Sequence, residues 1–203
     1  MLFVDDKRAE SRSELGEYLG DDLVIRRRQR NHAVSIAVTR VNCQGYLFLW
    51  HDQSVRAMIQ RVLEGSVDST VDNVTSRVGQ ISQGLVVLVG VTHSDSPATA
   101  MKLADKIWNL RIMNDADGVM NLSVAQTTKN ILVVSQFTLY GDASGGRRPS
   151  WIAAARPEMA EPLVTQLVQE LALLGAHVQT GRFRTEMLVS LVNDGPVTLM
   201  VEI

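Results

Sequence analysis

Cysteine is almost missing from this chain of 203 residues: Cys43 stands alone, so neither an internal disulfide framework nor a cysteine zinc site can form. Histidine is nearly as scarce. His32, His51, His93 and His177 are scattered, and none stands at ligand spacing with a carboxylate. The expectation is a protein without metal or cofactor. No apolar run approaches the ~20 residues of a membrane span, and the acidic start at Asp5 and Asp6 is unlike a signal peptide. A cytoplasmic protein with no membrane partner is expected. An excess of charge is missing too. The formal net charge is −2, residues 1–55 balance, and the whole excess falls in residues 56–203. Such a chain is not a general nucleic-acid binder, because non-specific affinity rests on many phosphate contacts. Contact with RNA has to be local. What is plentiful is apolar material: 45% hydrophobic residues are enough for a real core, and the length fits one domain with an appendage.

The chain is organised around residues 131–142, ILVVSQFTLYGD. Ile131, Leu132, Val133 and Val134 read as a strand buried on both faces. Ser135, Gln136 and Thr138 then bring polar groups to its end, where an unpaired polar atom is costly. A glycine-rich basic loop follows, residues 141–150 (GDASGGRRPS), with Arg147 and Arg148 beside the glycines. In an open α/β sheet this order of features presents a ligand site at the carboxyl edge. Taken alone, the same residues serve equally well to terminate a strand, and Phe137 as plain core.

The rest of the second part reads in order. Residues 56–63 alternate as a strand, residues 67–81 read as a hairpin, and residues 85–91 (LVVLVGV) form a continuous central strand. A helix starts with Ser96 as N-cap and Pro97 at N1, and its apolar face is Ala100, Leu103, Ala104, Ile107 and Trp108. Residues 110–112 resume a strand, and Asp117-Gly118 signals a hairpin turn. A second helix is predicted over residues 161–174, with Pro162 in its first turn and a stripe of Val164, Leu167, Val168, Leu171 and Leu174. Gly175 stands where it should end. Three short strands close the chain at residues 177–180, 187–192 and 197–203. Strands outnumber helices, which argues an α/β domain with a mixed, strongly curved sheet and both amphipathic helices on one face.

A second polar stretch, residues 193–198 (NDGPVT), lies between two apolar strands near the C-terminus. With SQFTLYGD upstream, and with RAMIQRV (56–62), ADKIWNLRI (104–112), GRRPSW (146–151) and TGRF (180–183), the chain resembles the D-aminoacyl-tRNA deacylase family over residues 56–203. The resemblance implies a barrel-like α/β/β layered domain acting as a homodimer with its active site at the interface. It implies hydrolysis of the ester between a D-amino acid and the 3′ end of tRNA, as chiral proofreading in translation. A filter that excludes L side chains leaves room for a hydrogen atom, so glycyl-tRNA is an expected further substrate. Neither motif contains histidine or cysteine, so no Ser-His-Asp or Cys-His arrangement is supported. Positioning and fixed donors can suffice for a reactive ester. The resemblance implies that the terminal 2′-hydroxyl of the tRNA assists, with main-chain N–H groups near Phe137 and Thr138 holding the carbonyl. Ser135 and Gln136 would brace the strand end and the terminal adenosine. Gly195-Pro196, reaching the partner subunit's pocket, would be the chiral filter, Phe183 and Met187 the pocket wall, and Arg147 and Arg148 the tRNA contact. A lysine common before the GRR of the family is Gly145 here. The alternative is a catalytically silent tRNA-binding dimer on the same fold.

Residues 1–54 do not fit the family pattern. They hold a basic run, RRRQR at 26–30, the alternating Val34, Ile36 and Val38, and the apolar YLFLW at 46–50, the last two able to form a hairpin. The readings are an N-terminal extension or, preferred, a start site at Val55. A chain beginning at Val55 is therefore expected to fold, to dimerise and to hydrolyse D-aminoacyl-tRNA as well as the long form. Deacylation assays and light scattering on both forms test this, and loss of solubility or dimerisation on trimming would make the extension structural.

Overall fold

A computed structural model describes residues 16–18, 23–30, 33–41, 47–48 and 54–203. The chain divides into two compact units, Met1–Asp52 and Gln53–Ile203. In the first unit, β1 (Gly16–Tyr18), β2 (Leu23–Arg30), β3 (Ala33–Val41) and β4 (Leu47–Phe48) pair antiparallel in chain order. The basic run lies within β2, where Arg26 pairs with Ala37 and Arg30 with Ala33. Val34, Ile36 and Val38 fall in β3 and Leu47 and Phe48 in β4, whereas Tyr46, Leu49 and Trp50 lie outside the described residues.

The second unit is built on β5 (Arg56–Val71), a strand of 16 residues. Its first half pairs antiparallel with β7 (Gly84–Gly90), and its second half pairs with β6 (Val74–Ile81). The β5–β6 turn is Asp72-Asn73, with φ of 50° and 61°, left-handed values that short polar side chains tolerate and that match strand twist. The helix α1 (Pro97–Asn109) follows, with Ser96 at its N-cap and the Ser96 N–H donating to the Thr99 hydroxyl at 2.6 Å. The expected strand at residues 110–112 is displaced. The chain there is irregular, and β8 (Met113–Asn114) pairs with β9 (Met120–Leu122) across a turn closed by Asp115, whose carboxylate accepts from Asp117 and Val119 N–H at 3.0 Å. Arg61 draws this strand inward, donating to the Ile112 carbonyl at 2.8 Å and to the Asn114 side chain at 2.9 Å.

The core strand β10 (Asn130–Ser135) runs parallel to β7 and to β11 (His177–Thr180), and the sheet order is β11-β10-β7-β5 and then β12 (Glu186–Glu202), with β6 also on β5. The helix α2 (Pro157–Leu173) crosses over between β10 and β11. Leu85, Val87, Ile131 and Val133 face the helices, against Leu103, Ile107, Leu167 and Leu171. Val86, Leu132 and Val134 face the other way, against Val62, Val67 and Ile81, where the curled halves of β5 and β6 fold over. This is an α/β/β arrangement with a nearly closed, barrel-like mixed sheet.

Two expectations need correction. The strands at 187–192 and 197–203 are one strand, β12, paired along β5 and interrupted by register shifts between Val192 and Thr198. The second helix starts at Pro157, not at residue 161, because Pro157 supplies the N1 proline with Arg156 as N-cap. Its buried face is Leu163, Leu167 and Leu171, while Val164 and Val168 are half-buried and Leu174 lies past the helix end, with Gly175 at φ +103° beyond it. Pro162 consequently falls in the second turn, exposed, where it offers no N–H to the Glu158 carbonyl and its ring crowds that oxygen. Pro162→Ala should stabilise the domain by about 1–3 kcal/mol. Thermal unfolding should show the midpoint rising by at least ~3 °C; an unchanged or lower midpoint would mean that the helix start already accommodates the missing bond.

Candidate active site

At the carboxyl end of β10 the chain leaves the sheet in a controlled way. Ser135 still pairs with Val89 of β7, and the Gln136 N–H donates to the Val89 carbonyl at 2.7 Å. Residues Phe137–Tyr140 then form a 3₁₀ turn with Gln136 at its N-cap, closed by Leu139 N–H to Gln136 carbonyl at 3.2 Å. The N–H groups of Phe137 and Thr138 open that turn and have no acceptor within it. Close packing holds the turn in place: a Cβ on Gly90 would lie 3.1 Å from the Gln136 carbonyl oxygen and from the Tyr140 ring. Tyr140 is buried, its hydroxyl donates to the Ser54 carbonyl, and the Arg56 guanidinium stacks 4.6 Å from its ring centre. Burial, chiefly, pushes its phenol pKa well above the ordinary range.

Beside the turn lies a cavity of about 360 Å³, lined on one side by Ser135, Gln136 and Phe137 and on the other by Trp151, Ala154, Pro157 and Phe183. Phe137 is not core. It is 57% exposed and meets Trp151 edge-to-face, with ring centres 5.4 Å apart. Gly141 makes room for that indole, since a Cβ there would stand 2.4 Å from it. Thr138 is exposed and does not line the cavity, and its hydroxyl accepts from the Gln136 side-chain amide. Phe183 does line it, half-buried. Met187 instead packs against the second core cluster with Val189 and Leu191. Among the described residues of the wall, Arg184, at φ +59°, is the only ionisable one. Among the described residues no group of three or more His, Cys, Asp or Glu is placed to hold a metal, and no helix is long and apolar enough to cross a membrane.

The remaining sequence candidates lie elsewhere in this protomer. Arg147 and Arg148 are exposed in a loop pinned by paired bonds between Asp142 and Ser150 at 2.8 and 2.9 Å. Within it the Asp142 carboxylate accepts from Ser144, which holds its pKa below the usual carboxylate range. Gly195 and Pro196 are exposed, joined by a cis peptide, and absent from the cavity wall. They sit on the irregular part of β12, which Arg61 braces from below. Arg61 is 5% exposed, and its Nε lies 2.8 Å from Asp194 Oδ2, a charge contact without the angle of an aligned hydrogen bond. Asn193 completes the brace, donating to the Arg61 carbonyl at 2.9 Å and the Val197 carbonyl at 3.2 Å.

Sequence reasoning missed the half of the wall that comes from α2 and the segment before it. Its one local signal was Pro157, a helix-opening proline directly after Arg156. Arg61 was equally hidden, since in sequence it occupies an ordinary position of an alternating strand.

Known proteins bear directly on this site. The family model described as D-Tyr-tRNA(Tyr) deacylase matches residues 58–202. A D-aminoacyl-tRNA deacylase of Symbiobacterium thermophilum is 51% identical over 148 residues, 73% of this chain and 95% of that protein. One from Thermobifida fusca is 52% identical over 150 residues, covering 73% of this chain and all of the relative, 100%. Among solved structures, the c-Myc DNA Unwinding Element Binding Protein superposes with a TM-score of 0.65 at 32% identity, over 72% of this chain and 97% of its own. A probable eukaryotic D-amino acid tRNA deacylase superposes with a TM-score of 0.64 over 74% of this chain and 100% of its own, and at 16% identity it shows the shared fold alone. With the motif strand, the turn and the cavity all inside the matched stretch, the chain belongs to the D-Tyr-tRNA(Tyr) deacylase family, the D-aminoacyl-tRNA deacylases.

Proposed function

We propose that this chain hydrolyses the ester of D-aminoacyl-tRNA, and of glycyl-tRNA, with donors from its main chain and with help from the substrate's own 2′-hydroxyl. The observation that carries the mechanism is the turn at Phe137–Tyr140, which opens with two N–H groups lacking an acceptor inside it, beside a cavity whose only ionisable residue among those described is Arg184. Donors of this kind stabilise the charge that develops on an ester carbonyl oxygen and need no reorganisation as it forms. Ser135 and Gln136 brace the strand end and receive the terminal adenosine. Thr138 is a poor nucleophile here, because its hydroxyl is held by the Gln136 amide and no base stands beside it. The terminal 2′-hydroxyl then assists attack of water on the ester.

In this reading two copies of the chain form a homodimer, and Gly195-Pro196 of one enters the site of the other. Their exposure and their absence from the cavity wall of their own protomer support that arrangement. Phe183 forms the wall they meet, Met187 being packed against the second core cluster instead, and Arg147 and Arg148 hold the tRNA in the cytoplasm, where translation takes place. An enzyme that accepts many D side chains has to reject the L form by occupying the space an L side chain needs. Backbone suits that task because the fold, not a rotamer, sets its position. The silent RNA-binding alternative is disfavoured by the net charge of −2 and by the intact motifs.

Thr138→Ala should keep most of the activity, and a tRNA ending in 2′-deoxyadenosine should be a very poor substrate. A nucleophilic threonine would instead lose ~10⁴-fold or more on substitution, and an acyl-enzyme trapped on Thr138 would end the proposal. Gly195→Ala tests the filter. The new methyl would meet only the Asn193 side-chain oxygen of its own protomer, at 3.3 Å, so the fold should survive. D-tyrosyl-tRNA hydrolysis should nevertheless fall by orders of magnitude, with tRNA binding little changed; near wild-type turnover would reduce Gly195-Pro196 to a simple turn.

A further inference from the structure

Apart from the candidate cavity, one acid among the described residues is buried. Asp95 follows β7 and is 7% exposed. Its Oδ2 accepts the Thr92 N–H at 2.7 Å, whereas Oδ1 is buried without a hydrogen-bond partner. A buried carboxylate with an idle oxygen is costly unless a cation or further donors meet it. Val55 and Asp95 line the same small buried pocket, which places the start of β5 beside the carboxylate, and Oδ1 has no partner among the described residues. Val55 itself is sunk in the core, 4% exposed, at the head of β5. Tyr140 is the ionisable group that feels the Asp95 charge, and the Arg56 guanidinium stacked on its ring is already paired with Glu202 at 2.8 Å. No cation is left for Asp95 among them.

We propose that Asp95 is a buried receptor for a free α-ammonium on residue 55, and that the working form of the chain begins there. An amide at this place offers the carboxylate one N–H and no charge. An ammonium offers three N–H groups and a full positive charge, which supplies both the partner for Oδ1 and the compensation for burial. Two sources give the same group. Hydrolysis of the Ser54–Val55 peptide bond by water leaves a carboxylate on Ser54 and an ammonium on Val55; initiation at position 55 leaves the ammonium on a methionine. The relatives agree with a boundary here, since the stretch of 148–150 residues they share with this chain makes up 95–100% of their own length. Those relatives consist of this unit alone, so it folds by itself.

The two forms differ in the sign of the Asp95 contribution. In the long chain burial, chiefly, raises the Asp95 pKa, so its charged form weakens the fold as pH climbs past the usual carboxylate range. In a chain starting at residue 55 the ammonium lowers that pKa, and stability from the pair is present at neutral pH and lost on acidification. The test is thermal unfolding between pH 3.5 and 7.5 of the full chain carrying a specific protease site ending at residue 54, before and after cleavage. Asp95→Asn, which keeps the acceptor for Thr92, should raise the midpoint of the uncleaved chain at pH 7 and lower that of the cleaved chain by about 5 °C. Should the variant fail to fold, the cleaved-length chain bearing an Nα-acetyl group replaces it and should lose the same margin. A substitution effect of the same sign in both forms, or no effect of acetylation, overturns the proposal. Intact mass of the protein from its own cells adds an independent reading. A chain starting at residue 55 supports the proposal, with valine or methionine distinguishing cleavage from initiation, and a population of 203-residue chains alone overturns it.

Discussion

The constraint on which the rest depends is that β7 and β10 are buried on both faces. Helices cover one side and the curled halves of β5 and β6 cover the other. Side chains on such strands have to be apolar in both directions, and polar chemistry can enter only where a strand ends. Ser135 is that end. It is the last residue still paired to β7, and within one residue the chain turns into the 3₁₀ segment that bounds the cavity. The site is therefore a consequence of how the sheet is covered, and its position at the carboxyl edge of parallel strands follows from the crossover of α2.

The same economy fits the proposed reliance on main-chain donors. A cavity walled by Val89, Ala154, Pro157 and Phe183 would impose a large desolvation cost on a charged acid or base. Peptide N–H groups at the start of a short turn carry no net charge to desolvate, and the fold holds them in place. Phe137 and Trp151, set edge-to-face, line the cavity without adding an ionisable group.

A different solution appears at the far part of the sheet. There β12 breaks register beside β5, and Arg61 is drawn almost fully inside to hold the break. Its guanidinium reaches Ile112 and Asn114 on one side and Asp194 on the other, so one buried cation ties a surface hairpin to the segment bearing Gly195-Pro196. Removing Asp194 would leave the buried Arg61 charge without its partner in a low-dielectric setting. Such a brace fixes the course of the short exposed segment that bears Gly195-Pro196.

The apolar runs at residues 85–91 and 131–134, the N-terminus of α1 at Ser96 and Pro97, and the polar strand end at Ser135 and Gln136 were all determined by local sequence. Each depends on rules that act within one element: burial pattern, capping and proline geometry. The start of α2 was misplaced because two prolines five residues apart competed for one role, and only packing of Leu163, Leu167 and Leu171 decides between them. The joining of two predicted strands into β12, the inward turn of Arg61 and the exposure of Phe137 belong to tertiary structure alone. They depend on residues far apart in the chain, such as Arg61 with Asp194 and Phe137 with Trp151, and no local pattern encodes a partner that distance in sequence separates and the fold brings near.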